Sequence, residues 1–172
     1  MKKVLFVIAH EGFRPEEYYE PKKILMAAGV EFVTASNAAG MATPKFGDEL
    51  AKVDLVLDDV KTDDYNGIFF VGGPGALEHL DNEKSYRIIK EAAEKGKVFG
   101  AICISPRILA RAGVLKNKKA TGWNKDNELG KILADAGANY IKESVVVDGK
   151  LVTASGPSAA QEFGKKILDK LS

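Results

Sequence analysis

The chain has 172 residues, 45% of them hydrophobic and 28% charged, and a formal net charge of +1. That balance fits one globular domain, residues 1–172, with a real core, and it supplies no global field for nucleic acid or an anionic membrane. A single cysteine excludes an internal disulfide framework and fits a reducing compartment, and two histidines leave little from which to build a zinc site.

The opening, MKKVLFVIAH, has the outline of a signal peptide, but its apolar part, Val4 to Ala9, is too short and charged residues follow. Residues 3–9 read instead as a first strand, and the protein as cytoplasmic. No run is long enough to span a bilayer. Residues 10–14 form a loop, and residues 15–28 a helix with Pro15, Glu16 and Glu17 in its first turn, where a missing amide proton and negative charge are both tolerated. Pro21 should bend that helix or restart it. Residues 30–35 are the second strand. Residues 36–52 lack a period and read as a loop with room for a small hairpin, and residues 53–60 hold a short edge strand.

Residues 66–71 read as a buried strand that runs into the turn Gly72-Gly73-Pro74-Gly75. Residues 82–95 have helical spacing, with Tyr86, Ile89, Ala92 and Ala93 on one side. Residues 98–102 are a continuous apolar strand with Gly100 inside it. Cys103 sits in the turn that follows, and residues 104–112 return to helical spacing until Gly113. Residues 119–122 suggest a short strand, residues 126–136 a helix, and residues 144–147 and 150–154 a hairpin about Asp148-Gly149. Residues 157–171 close the chain as a helix. Strands that alternate with helices, and are apolar on both faces, imply a three-layer α/β/α sandwich with a mostly parallel sheet and one antiparallel hairpin.

Ligands of such sheets collect beyond the carboxyl ends of the strands. Three loops should meet there: residues 10–17, Gly72 to Gly75, and the Cys103 turn. A cysteine between a strand and a helix lies near unpaired amides and the positive end of a helix dipole, which favours thiolate. The amides of Gly73 and Ile104 are placed to hold a developing oxyanion. One of Glu16 and Glu17 can lie against the sulfur, stay protonated by burial and move a proton. His10 is the better placed of the two histidines to act as a base. The glycine turn has neither the phosphate-loop nor the dinucleotide spacing.

The run Phe70-Val71-Gly72-Gly73-Pro74-Gly75, with Ala101-Ile102-Cys103-Ile104-Ser105-Pro106, resembles the ThiJ/PfpI superfamily. That group includes a protein deglycase linked to Parkinson disease and an intracellular protease, and it has class I glutamine amidotransferases as cousins. The likeness extends to Glu17 before Pro21, to Val145 to Gly149, and to Ser155-Gly156-Pro157. It implies a flavodoxin-like fold with Cys103 on a nucleophile elbow, Glu17 as the glutamate bonded to it, Gly73 and Ile104 as oxyanion amides, and a homodimer or higher homo-oligomer. This chain departs from the pattern at Ile104, where the protease branch has histidine, and at Trp123, near where the deglycase branch has one. No histidine follows His79, and the loop before Glu17 is one residue longer.

The expected activity is therefore cysteine-dependent chemistry on reactive aldehydes such as methylglyoxal, or on their protein adducts. It would be stress-protective and would use neither metal nor cofactor. The partners expected are a small carbonyl compound or a modified protein. Two alternatives stand beside it: a cysteine peptidase that takes its base from His10 or a neighbouring subunit, and a protective redox sensor working through oxidation of Cys103.

Overall fold

In the computed structural model, which describes residues 1–172, the apolar opening forms strand β1 (Lys3–Ile8). Leu5 and Val7 of β1 enter one core, and Val4, Phe6 and Ile8 enter another on the opposite face. A strand with no polar face has to lie mid-sheet between two covering layers. The chain continues through β2 (Glu11–Phe13), α1 (Pro15–Ala27), β3 (Glu31–Ser36), β4 (Met41–Pro44), β5 (Ala51–Lys52), β6 (Leu55–Val56) and β7 (Gly67–Phe70). Next come α2 (Ala76–Leu80), α3 (Glu83–Glu94), β8 (Val98–Ile102), α4 (Pro106–Ala112), β9 (Lys119–Ala120) and α5 (Leu129–Asp135). The chain ends with β10 (Asn139–Tyr140), β11 (Val145–Asp148), β12 (Leu151–Ala154) and α6 (Ala160–Leu171).

Seven strands make the central sheet in the order β11-β12-β8-β7-β1-β3-β6. All neighbours are parallel except β11, which pairs antiparallel with β12. Helices α2 to α5 cover one face, through side chains such as Leu80, Ile88, Ile89, Leu109 and Leu133. Helices α1 and α6 cover the other, through Tyr18, Leu25, Phe163 and Ile167. The expected sandwich is thus the observed one. Its register sets the site: Val7 pairs with Phe70, Phe70 with Ala101, and Ile102 with Ala154, so the segments after β1, β7, β8 and β12 leave the sheet at one edge.

Several local expectations change. Helix α1 continues through Pro21 without a restart; Pro21 is buried and packs so close to Gly164 of α6 that a side chain on Gly164 would begin 2.9 Å from the Pro21 Cα. The proline lacks an N–H for the Glu17 carbonyl four residues earlier, and tight helix packing offsets that lost bond. The loop of residues 36–52 does hold a hairpin, β4 with β5, and β4 also pairs with β2 in a small separate sheet. The short edge strand expected within residues 53–60 is Leu55–Val56 at the sheet edge, and it ends where Leu57–Asp59 turns into a 3-10 helix. The strand at Lys119 does not join the main sheet; β9 pairs with β10 beside it. No helix is long and apolar enough to cross a membrane.

Candidate active site

Cys103 follows the last residue of β8. Its amide donates to the Ala154 carbonyl at 2.9 Å, so the backbone is still tied to the neighbouring strand when it turns. The turn puts Cys103 at φ 64°, the left-handed region that an L-residue with a side chain occupies only at a cost of about 1–3 kcal/mol. Two contacts hold the strained residue. The Ser105 hydroxyl, fully buried, donates to the Val71 carbonyl at 2.7 Å. The Trp123 amide donates to the Cys103 carbonyl at 2.7 Å. The elbow is therefore clamped from β7 and from the segment after β9.

The glycine turn approaches from the next strand. A side chain on Gly72 would begin 2.6 Å from the Cys103 Cβ and 2.7 Å from Glu17 Oε1, so only glycine leaves room for these two groups together. Gly73, at φ 116°, turns the backbone against Arg14 and Gly12. The loop after β1 is stitched to it, with the Arg14 amide donating to the Gly72 carbonyl at 3.0 Å and the Gly75 amide to the Gly12 carbonyl at 3.1 Å.

Glu17 lies in the first turn of α1 and is completely buried. Its Oε1 accepts the Gly72 amide at 3.1 Å, and its buried Oε2 has no hydrogen-bond partner. The carboxyl as a whole lies against the Cys103 thiol. Glu16 takes the other choice: it faces solvent and pairs with Arg14 at 2.8 Å. The structure thus decides between the two acids in favour of Glu17.

Burial raises the Glu17 pKa from 4.5 to about 8, against the opposing pull of the thiol, of Arg14 and of the Gly72 amide. The carboxyl is protonated at neutral pH. Burial also pushes the Cys103 thiol up, as does the charge of Glu17 once it ionises, while the amides of Ile104 and Gly73, both directed at the sulfur, pull it down. Dipole and amides alone, which suggested a thiolate, are outweighed by desolvation. The two groups titrate as a pair that releases one proton near pH 8 and retains the second far above it.

This burial has a stability consequence with a definite sign. The native state keeps the Glu17 proton between pH 4.5 and about 8, where the unfolded chain has already lost it. Native stability therefore falls as pH rises through that window. Glu17→Gln carries no such proton. Its stability relative to wild type is expected to improve over the same window, by up to on the order of 4 kcal/mol, and to level off outside it. Urea unfolding of both proteins between pH 4 and 9 measures the difference.

Beyond the sulfur lies an open cleft of about 870 Å³. Gly73, Cys103 and Ile104 line it, together with Arg14, Trp123, Lys125, Tyr140 and the Ser155–Ser158 segment. His10 is not among the lining residues. Its Nε2 bonds the Ala39 carbonyl at 2.9 Å, and its amide donates to Asn37 Oδ1, so the β3–β4 loop holds it away from the cleft. His79 lies on α2, beside Glu78. The structure brings Cys103, Glu17, Gly73 and Ile104 together and leaves His10 out. It adds Ser105 and Trp123, which the sequence marked only as part of the family-like run and as a histidine replacement. No three His, Cys, Asp or Glu side chains converge to hold a metal ion.

The architecture and this constellation have counterparts. The family model described as DJ-1/PfpI family matches residues 2–170. A Methanocaldococcus jannaschii protein described as uncharacterized is 41% identical over 167 residues, 96% of this chain and 80% of that protein. The deglycase PfpI of Pyrococcus furiosus is 35% identical over 157 residues, 90% of each chain. Among solved structures, a ThiJ/PfpI domain protein from Brachyspira murdochii superposes with a TM-score of 0.92 at 28% identity, over 98% of this chain and 95% of that one. A match along nearly the whole length, in sequence and in fold, makes this chain a member of the DJ-1/PfpI family.

Proposed function

We propose that the chain is a cysteine-dependent enzyme that converts reactive 2-oxoaldehydes, free or carried on protein, into 2-hydroxy acids. One observation carries this proposal: a fully buried carboxyl, protonated at neutral pH, lies against the Cys103 thiol with one oxygen free of any hydrogen bond. Such a group is a proton carrier for a carbonyl attacked by sulfur. The deglycase name of the Pyrococcus furiosus relative points the same way.

The sulfur attacks the aldehyde carbon, C1. A C–S bond forms and the carbonyl electron pair moves to oxygen; in the pair that has lost one proton, the Glu17 carboxylate takes the thiol proton and passes it to that oxygen, giving a hemithioacetal and leaving Glu17 ionised. The amides of Gly73 and Ile104 face this centre and stabilise the charge that develops on it. Glu17 then carries the C1 proton to C2, while the hydroxyl proton passes from the C1 oxygen to the C2 oxygen. The result is a 2-hydroxyacyl thioester. Water cleaves its C–S bond and returns the thiol and the hydroxy acid. An aldehyde held as a hemiaminal on protein enters the same route when the protein amine leaves with a proton. The cleft, at about 870 Å³, has room for an adduct on a side chain as well as for a three-carbon aldehyde.

The peptidase alternative asks for a base beside the sulfur, and neither histidine of this chain lines the cleft. Lactate formation from methylglyoxal, followed beside cleavage of casein, separates the two. Lactate is expected, with a rate that rises toward about pH 8 as the pair releases its first proton. Glu17→Gln is expected to slow it by about 10²–10⁴-fold. Casein cleavage without lactate would overturn the proposal.

A further inference from the structure

Besides Glu17, one charged side chain is nearly excluded from water: Arg107, 4% exposed, on α4 four residues after Cys103. Every other buried position of α4 is apolar or small. An apolar side chain would fill that position without the cost of desolvating a guanidinium, so the charge needs a reason. Its Nη1 donates to Asp126 Oδ2 at 2.9 Å and its Nη2 to Asp126 Oδ1 at 2.8 Å, a two-pronged pairing. Nη2 also donates to the Trp123 carbonyl at 3.2 Å, and the guanidinium carbon lies 5.5 Å from the centre of the Trp123 ring.

All of these partners lie in residues 122–127, the segment between β9 and α5. Four of its residues, Gly122, Trp123, Asn124 and Lys125, line the Cys103 cleft. The segment is tied to the reactive turn as well, through the bond from the Trp123 amide to the Cys103 carbonyl. A side chain on Gly122 would begin 3.1 Å from that carbonyl. Arg107 is thus buried beneath the cleft wall and grips it at two points.

We propose that Arg107 is a positioning residue: through Asp126 and the Trp123 carbonyl it sets Trp123 as the wall that decides which molecules reach the Cys103 sulfur. The inference needs Cys103 to be reactive, as the proposed function does, but not any one substrate. Its geometry depends on the planar fork. A lysine supplies the charge without the two parallel bonds, so charge alone does not replace it.

The test uses the full chain with Arg107→Met, Arg107→Lys and Asp126→Asn, each checked for native circular dichroism. Asp126 is part-exposed, so its variant keeps a folded protein in hand if an Arg107 variant fails. Trp123 is the only tryptophan, so emission reports on this wall directly. Acrylamide quenching is expected to rise about twofold or more in all three variants as the segment loosens. Alkylation of Cys103 by iodoacetamide and by the bulkier N-phenylmaleimide is measured beside it. The bulky reagent is expected to gain about tenfold on the small one in the Arg107 variants. With methylglyoxal, KM is expected to rise about tenfold while kcat stays within about threefold. Unchanged quenching and an unchanged ratio of alkylation rates would overturn the inference, as would full rescue by lysine. If methylglyoxal is not turned over, the proposed function fails, while quenching and alkylation still decide this inference.

Discussion

Cys103→Ala is expected to lose at least about 10⁴-fold in lactate formation from methylglyoxal, while its circular dichroism remains native. Everything the proposed chemistry needs converges on one atom: the Glu17 carboxyl lies against it, and the amides of Gly73 and Ile104 act on it. Removing that atom leaves Glu17 with a proton and no electrophile attached to the protein. Stability should respond separately. Alanine keeps the φ of 64° and the strain that goes with it. Cys103→Gly occupies the same backbone region freely and is expected to be more stable than Cys103→Ala by about 1–2 kcal/mol. Denaturant unfolding of the two inactive variants reads the difference. Retained turnover in Cys103→Ala would mean that the chemistry lies elsewhere.

The second large effect is on folding. Gly100→Ala is expected to cost more than about 3 kcal/mol, or to yield insoluble protein. Gly100 lies within β8, paired with Val152 of β12. A side chain there would begin 1.8 Å from the Val152 carbonyl oxygen. That atom is main chain in the middle of the sheet, so it cannot swing aside. β12 would have to move away from β8, and β12 carries the Ala154 carbonyl that accepts the Cys103 amide. Gly130→Ala is the control, since the nearest atom there is the Tyr140 ring at 3.7 Å. It should unfold with wild type or slightly above it.

The central strands were legible because they carry apolar residues on both faces, and only a covered parallel sheet accepts that. Cys103 was legible because its strand ends in a glycine-free turn before Pro106, and Glu17 because a pair of acids opens a helix. Which of the two acids turns inward depends on how α1 rolls against the sheet, which no local pattern encodes. Pro21 reads as a break, yet the helix passes through it because Gly164 lets α6 come close. The pairing of β2 with β4 was hidden because Glu11–Phe13 is too short to alternate. His10 follows β1 toward the cleft, but the Ala39 carbonyl and Asn37 capture it. Arg107 had a faint signal, an arginine among the apolar residues of a buried helix. Its partner, 19 positions on, was out of reach of any helical spacing.

The contact between Pro21 and Gly164 ties the depth of Glu17 to the last helix of the chain. The Cys103 amide is tied to β12 in the same way. A chain made from its N-terminus therefore holds Glu17, Gly73 and Cys103 before it holds the β12 and α6 residues that set their positions.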